Sequence, residues 1–353
     1  MMATTARFSV LRAPLVGRGF GRALFSLQKQ AAHGGLEAGW ALGSVSAEMP
    51  EIGELTLDGP VWRSASSTVF VGESAGMGRI ALKICIDPAS GRPSAHAAKA
   101  SFAALERAAD LSQAAGGLQT SEPLAVLPAQ GIVVSRWIEG KRFSQAARGG
   151  PAAQAAALAE EAGRRLALLH GSMGRCDDTL HVDQLVADSE QRIGASRRPN
   201  RVAAAGVRAL RAAIPGLATQ PVRWGPVHGD FKPDNVIAGP GGIGVIDFEG
   251  QETGPGLADV AHFLNHLALG SGFPRRLFWQ RRASAVGAAF LRGYVDAGGY
   301  APARALLWLR LTDALRLFST LQGAGLPRRL VYGRRMRRLI GDLVKGLGAL
   351  RDD

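Results

Sequence analysis

Hydrophobic and polar positions change their period once along this chain, and that change divides it. From Ile52 onward the apolar residues come in short β-type runs: Glu54-Leu55-Thr56-Leu57, Thr68-Val69-Phe70-Val71 and Ile80-Ala81-Leu82-Lys83-Ile84. Turn-forming clusters, Ser64-Ala65-Ser66-Ser67 and Ser74-Ala75-Gly76-Met77-Gly78, separate them. The period then becomes helical over residues 94–115, with Phe102, Leu105 and Leu111 as the apolar stripe. Runs at residues 123–127 and 132–137 complete five strands with one helix, a small antiparallel lobe over residues 51–137. Beyond Gly140 the spacing predicts helices over 151–170, 183–193, 202–214, 257–269, 275–297, 302–321 and 327–350. One interruption breaks that series. Asn235-Val236-Ile237 and Ile243-Gly244-Val245-Ile246 flank Gly239-Pro240-Gly241-Gly242 and predict a hairpin. The expected layout is α+β, with a leader over 1–50, a β-lobe over 51–137 and a larger, mainly helical lobe over 138–353.

Composition adds limits rather than detail. The chain has 353 residues, 46% hydrophobic and 20% charged, an ordinary globular balance and long enough for two lobes. No apolar run approaches the ~18 residues a membrane span needs. Cys85 and Cys176 lie far apart, form no ligand pattern, and read as the reduced thiols of a cytoplasmic protein. The net charge of +13 comes from scattered arginines with no nucleic-acid-binding motif, so no nucleic acid partner is expected. It argues against a strongly cationic substrate unless acidic residues cluster locally. The first 36 residues carry no acid, and Ala13-Pro14-Leu15-Val16-Gly17 is too short and broken for a signal-peptide core. A peripheral or poorly ordered leader of transit-peptide-like composition is expected there.

The chemistry concentrates in His228-Gly229-Asp230-Phe231-Lys232-Pro233-Asp234-Asn235 and in Val245-Ile246-Asp247-Phe248-Glu249. An Asp, an Asn five residues on and a second Asp on the next apolar run can supply a base for a hydroxyl and hard oxygen ligands for magnesium. Phosphoryl-transfer enzymes use that spacing in their catalytic loop. Asp and Asn also cap turns with no chemistry at all, but three matching polar positions outweigh that reading. In the β-lobe, Lys83 sits inside an apolar strand, a costly place for an ammonium unless it is paired.

These motifs, with a β-lobe before them and helices after, resemble the aminoglycoside phosphotransferase and choline kinase-like family, over residues 51–330. The resemblance implies a two-lobed protein-kinase-like fold and assigns roles. Asp230 is then the catalytic base, and Lys232 a contact to the transferred phosphate. Asn235 and Asp247 hold Mg2+ against the nucleotide phosphates, and Lys83 holds the α- and β-phosphates of ATP. Glu106 is nominated as the helix partner of Lys83, although its place after Phe102-Ala103-Ala104-Leu105 puts Ser101 at the usual position. Ser66 and Ser67 belong to a serine-rich loop over the phosphates, and Ser135 and Trp137 to the hinge that binds adenine. His228 is expected to brace the catalytic loop, Asp259 to stabilise it or cap its helix, and His170 to be structural. His262 and His266 share a helix face at metal-ligand spacing but lack a third ligand, and are read as a packed structural pair.

The resemblance therefore implies an ATP- and Mg2+-dependent phosphotransferase acting on a small-molecule alcohol of aminoglycoside, choline, ethanolamine or sugar type. The short segment between Asp247 and Asp259 leaves little room for a peptide platform. One alternative is a kinase for lipid-linked or lipopolysaccharide sugars, prompted by the basic amphipathic stretch Arg328 to Ile340. A solvated final helix is the favoured reading of that stretch, with peripheral membrane contact as the lesser one. The other alternative is a nucleotide-binding pseudokinase without turnover.

Overall fold

The computed structural model describes residues 38–64, 66–114, 118–172, 176–195, 200–218, 220–248, 253–270, 276–323 and 326–350. The leader's first 37 residues, Ala65, Glu249 and Arg275 lie outside them. A helix α1 over 38–48 precedes the β-lobe. Its Ala41 and Val45, with Met49 after it, pack against Ile52, Phe70, Ile80, Leu82 and Val134. The lobe's core thus begins ahead of the expected start at residue 51, because a helix spacing of four brings these apolar residues onto one face.

Five strands form the antiparallel sheet β1-β2-β3-β6-β5: β1 Leu55–Arg63, β2 Ser67–Ser74, β3 Gly78–Cys85, β5 Pro123–Leu127 and β6 Ile132–Arg136. β4 is the two-residue Gln119–Thr120. β1 carries Pro60 with register shifts on either side of it, which is tolerated because β1 is the edge strand. β3 alternates: Ile80, Leu82 and Ile84 enter the core beneath α1, while Lys83 and Cys85 occupy the other face, towards the helix α2 Ala95–Ala114.

β7 Lys141–Arg142 leads into the larger lobe, whose helices are α3 Phe143–Gly149, α4 Ala152–Gly171, α5 Val182–Gly194, α6 Arg201–Ala213, α7 Leu257–Leu269, α8 Arg276–Asp296, α9 Ala303–Gly323 and α10 Leu326–Ala349. The expected hairpin is β10 Val236–Gly239 with β11 Gly242–Val245, flanked by β7 and β4 in one sheet. A second sheet, β12-β9-β8, joins Thr253–Pro255, Pro221–Pro226 and Cys176–Thr179. The expectation that strands return only at the hairpin is corrected by it. Its strands are short, polar or proline-flanked, so pairing rather than intrinsic pattern makes them strands.

α4 and α8 touch backbone to backbone. A Cβ on Gly293 would lie 1.9 Å from Glu160 O, and one on Gly163 2.0 Å from Phe290 O. Gly293→Ala should therefore force the helices apart and cost about 3 kcal/mol, the upper end for overpacking. Urea unfolding checks this, and an unchanged midpoint would contradict the packing. α10 turns Met336, Leu339, Ile340, Leu343 and Leu347 inward and leaves Arg334, Arg337, Arg338 and Lys345 exposed. Its apolar face is thus used within the lobe. Among the described residues, no helix is long and apolar enough to cross a membrane.

Candidate active site

The segment 228–235 is tied down at several points. Phe231 is fully buried, packed against Phe263 (5.5 Å between ring centroids) and Phe290 (6.2 Å), which roots the loop in the helical core. Gly229 has φ 86°, a left-handed conformation that a side chain would strain. Asp259, near the start of α7 and 3% exposed, accepts the backbone amides of His228 (2.7 Å) and Gly229 (3.0 Å) and pairs with His170 Nε2 (3.1 Å). Burial raises the Asp259 carboxyl, but His170 and the hydrogen bond from the His228 amide outweigh it and hold the acid below its ordinary range. This is the loop-stabilising place expected for Asp259. His170 in turn bonds Tyr294 Oη through Nδ1 at 3.0 Å.

His228 is a brace, as expected. Burial depresses its pKa, so the ring is neutral. Its Nε2–H donates to Ile246 O (3.0 Å) while Nδ1 accepts the Asp230 amide (3.2 Å). One ring therefore connects the Asp230 turn to the segment after β11 that carries Asp247. The Ile246 amide adds a second connection, donating to Asn235 O at 3.0 Å.

Asp230 is largely buried, with a side chain 14% exposed. Oδ2 accepts from Asn235 Nδ2 at 3.0 Å and from the Lys232 ammonium. Oδ1 accepts from His262 Nε2 at 2.9 Å. Burial would raise this carboxyl; the His262 hydrogen bond and the Lys232 charge more than offset it, and Asp230 stays ionised well below the usual carboxylate range.

The oxygen ligands expected for magnesium lie on either side of this turn. Asn235 uses its amide nitrogen on Asp230, which leaves the carbonyl oxygen Oδ1 as its free acceptor. Asp247 is exposed and, among the described non-glycine residues, is the one with positive φ, 66°. Strain of that kind persists where the surroundings impose it, commonly at functional sites. A carboxylate and a carboxamide oxygen suit magnesium, which takes few protein ligands and completes its shell from phosphates and water. Among the described residues no group of three or more His, Cys, Asp or Glu forms a protein-only metal cage.

From the β-lobe, Lys83 Nζ meets Asp247 Oδ1 at 3.5 Å. Glu106, nominated as that partner, is exposed on α2, and the ion pair Lys83 forms here is with Asp247. The nearest equivalent on α2 is Ser101, which hydrogen-bonds the buried Cys85, two residues beyond Lys83 on the same strand face. A serine cannot pair an ammonium ionically, and Asp247 takes that place. Consequently Lys83→Ala should raise KM for ATP about tenfold or more, while Glu106→Gln should leave it within about twofold; steady-state kinetics in ATP checks both.

The serine loop is closed on itself. Ser64 Oγ accepts the amides of Ser66 (3.2 Å) and Ser67 (3.0 Å), and Ser67 is buried in the β2 register opposite Cys85. Ser66 stays exposed. The two residues expected at the hinge are tied into the β-lobe. Ser135 is buried within β6, paired on both sides by β3 and β5, and Trp137 donates its amide to Arg79 O at 3.1 Å. Those groups are bonded within the sheet. Arg142 lies over Trp62 at 4.9 Å, a further contact between the lobes, beside the serine loop.

Sequence reasoning missed the second layer behind Asp230. His262, on α7, is the donor to Asp230 Oδ1, and its Nδ1 meets Asp313 Oδ1 on α9 at 2.9 Å. Its ring packs edge-on against His266, 4.4 Å away, but its polar atoms serve Asp230. The i, i+4 histidine spacing was the visible signal; Asp313, 51 residues on, was not visible as its partner.

The sequence profile of the phosphotransferase enzyme family matches residues 60–308, well over half of the chain. The chain belongs to that family. By that membership it is a phosphotransferase, and the site lies inside the matched region. Among solved structures it is similar to a choline/ethanolamine kinase family protein from Mesorhizobium loti, at 18% identity and TM-score 0.60 over 90% of this chain and 100% of that one. It is also similar to choline kinase LicA from Streptococcus pneumoniae, at 13% identity and TM-score 0.53 over 87% and 97%. A third is a thermostable mutant of an aminoglycoside phosphotransferase, at 15% identity and TM-score 0.57 over 85% and 97%. At these identities the likeness establishes the two-lobed protein-kinase-like fold. No curated protein matches the chain in sequence.

Proposed function

We propose that this phosphotransferase moves the γ-phosphate of ATP, with Mg2+, to a hydroxyl of a small molecule. The observation that carries the reading is the convergence of Asp230, Asn235, Asp247 and Lys83, from both lobes, around one turn. Asn235 and Asp247 would hold magnesium, which neutralises phosphate charge when bound. Lys83 supports the nucleotide phosphates from the β-lobe. Lys232, with three donors on one ammonium, can hold Asp230 and a phosphate oxygen together. Asp230 orients the acceptor hydroxyl and takes its proton as the phosphoryl group departs. In such reactions positioning and charge neutralisation supply most of the rate. Because base, metal-ligand oxygens and strand lysine are all present, turnover is favoured over a pseudokinase.

The surroundings of Asp230 also bear on the acceptor. On its outer side stand Lys232, His262 and, beyond the imidazole, Arg316, whose guanidinium donates to Asp313 at 2.9 Å. Asp313 is largely buried and bonded by His262, Asn265 and Arg316, and Asp259 is buried and bonded by the loop amides and His170. Both carboxylates are thus committed to partners within the protein rather than offered to a cationic acceptor. We therefore expect uncharged sugars and homoserine to stimulate ATP consumption more than choline or aminoglycosides do. A panel of these alcohols with Mg2+ and ATP tests the reading; stimulation by none of them, in an enzyme that binds ATP, would contradict it. The lipid-linked alternative gains no apolar anchor from α10, whose apolar face is packed within the lobe.

A further inference from the structure

The buried chain Asp230–His262–Asp313 is more elaborate than an orienting carboxylate needs. His262 has a side chain 6% exposed and bridges two carboxylates, each at 2.9 Å, one from the catalytic loop and one from α9. Asp313 is itself fixed from three sides, by His262, by Asn265 Nδ2 at 2.9 Å and by Arg316 Nη2 at 2.9 Å. Asn265 in turn bonds Arg310 O at 2.8 Å and accepts from Arg310 Nε at 3.2 Å. α7 and α9 thus hold the imidazole in one orientation. His262 Nε2 faces Asp230 Oδ1, while Nδ1 faces Asp313 Oδ1 at 2.9 Å and Arg316 Nη2 at 3.1 Å, so the ring is held between two carboxylates and a guanidinium.

The consequence falls on Asp230. A carboxylate offers about four lone-pair sites over two oxygens. Oδ2 already receives Asn235 and Lys232, whereas Oδ1 receives His262 alone. The open position is therefore on Oδ1, beside His262. We propose that His262, locked by Asp313, is a positioning residue for phosphoryl transfer, fixing the Asp230 carboxylate so that the acceptor hydroxyl is received at Oδ1. This rests on the reading of Asp230 as the base. His262 acts through Asp230, and its effect on the reaction exists only while Asp230 does.

Charge supports the geometry. Burial would lower the His262 pKa, but the Asp313 charge and the hydrogen bonds to Asp230 and Asp313 push it up to about 9. Around it stand Asp230 and Lys232 from the loop, Asp313, Arg316 and Arg310 from α9, and His266 on its own helix, which burial and the His262 charge push down to about 3. Arg335 of α10 is bonded to Leu269 O at the end of α7. Because the folded value is raised, the cation's contribution is complete below the ordinary histidine value of ~6.5 and is lost as pH rises through about 9.

A double-mutant cycle measured with MgATP tests this, with water as acceptor and with the best alcohol of the panel. His262→Gln and His262→Ala should each lower kcat about 10- to 100-fold while KM for ATP stays within about twofold. In an Asp230→Asn background the same changes should add nothing, whereas a merely structural histidine would cost the same in both. Nitrogen NMR on histidine-labelled wild type supplies a readout independent of variant folding. One imidazolium should persist above pH 8 and be lost in Asp313→Asn. Wild-type kcat in the His262 variants, with Asp230→Asn inactive, would overturn the positioning role and leave the base intact. An active Asp230→Asn enzyme would remove both.

Discussion

Asp230→Ala should reduce turnover about 10³- to 10⁴-fold while the affinity for MgATP changes by less than about threefold. The figure is the upper part of the range for a positioned proton acceptor, because the variant also deletes the anchor of two cations. Lys232 and His262 both donate to this carboxylate, so its removal leaves their charges facing each other across a small cavity. Asp230→Asn separates the two losses. The amide keeps the volume but accepts through one oxygen only, and should be as inactive with a milder loss of stability. Nucleotide affinity is spared because the substitution removes neither the Lys83–Asp247 pair nor the Asp230 backbone carbonyl that accepts from Asn235 Nδ2. Steady-state kinetics with isothermal titration of MgATP gives both numbers.

Asp259→Ala should be the most destabilising single change at the site, by about 3–5 kcal/mol, although the residue touches no substrate in this account. Removing the carboxylate leaves two backbone amides, of His228 and Gly229, without acceptors, together with His170 Nε2. Each buried unsatisfied donor costs about 1–3 kcal/mol. The catalytic loop would lose its register, so kcat should fall with stability, unlike the clean split expected for Asp230. The sign of the pH dependence follows from the depressed carboxyl. Its contribution is present above the ordinary aspartate value of ~3.9 and is lost on acidification below it. Urea unfolding at pH 7 and pH 3 checks this: the gap between wild type and Asp259→Ala should be smaller at pH 3.

Much of this architecture was legible in the amino-acid pattern. The apolar period over 257–269 matches α7 Leu257–Leu269, and those over 302–321 and 151–170 fall within two residues of α9 and α4 at each end. Local periodicity suffices where a helix buries one face. It failed for β8 and β9, where Cys176-Asp177-Asp178-Thr179 and the proline-bounded Pro221–Pro226 have no strand signature apart from each other. The same distinction separates the site residues. Asp230 and Asn235 lie on one turn and Asp247 just beyond the hairpin that follows it, so spacing alone could place them together. The partner of Lys83 could not be found that way. Local reasoning offered Glu106, whereas the pair forms with Asp247, 164 residues away. His262 is the same case in reverse: its neighbour at i+4 suggested a packed pair, while its bonding partners come from a loop and from another helix. For Ser135 and Trp137, what spacing did not foretell is the sheet itself: Ser135 is buried in β6 and the Trp137 amide bonds Arg79 O.

The central claim is a transfer to carbon-bound oxygen rather than binding or hydrolysis alone. Phosphorus NMR of the enzyme with Mg2+, ATP and the most stimulating alcohol of the panel tests it most directly. The account predicts that the γ resonance disappears while ADP and a phosphomonoester resonance coupled to a carbinol proton grow in equal amounts, with neither formed by Asp230→Ala. ATP left intact, or inorganic phosphate as its only other product at every acceptor, would contradict it.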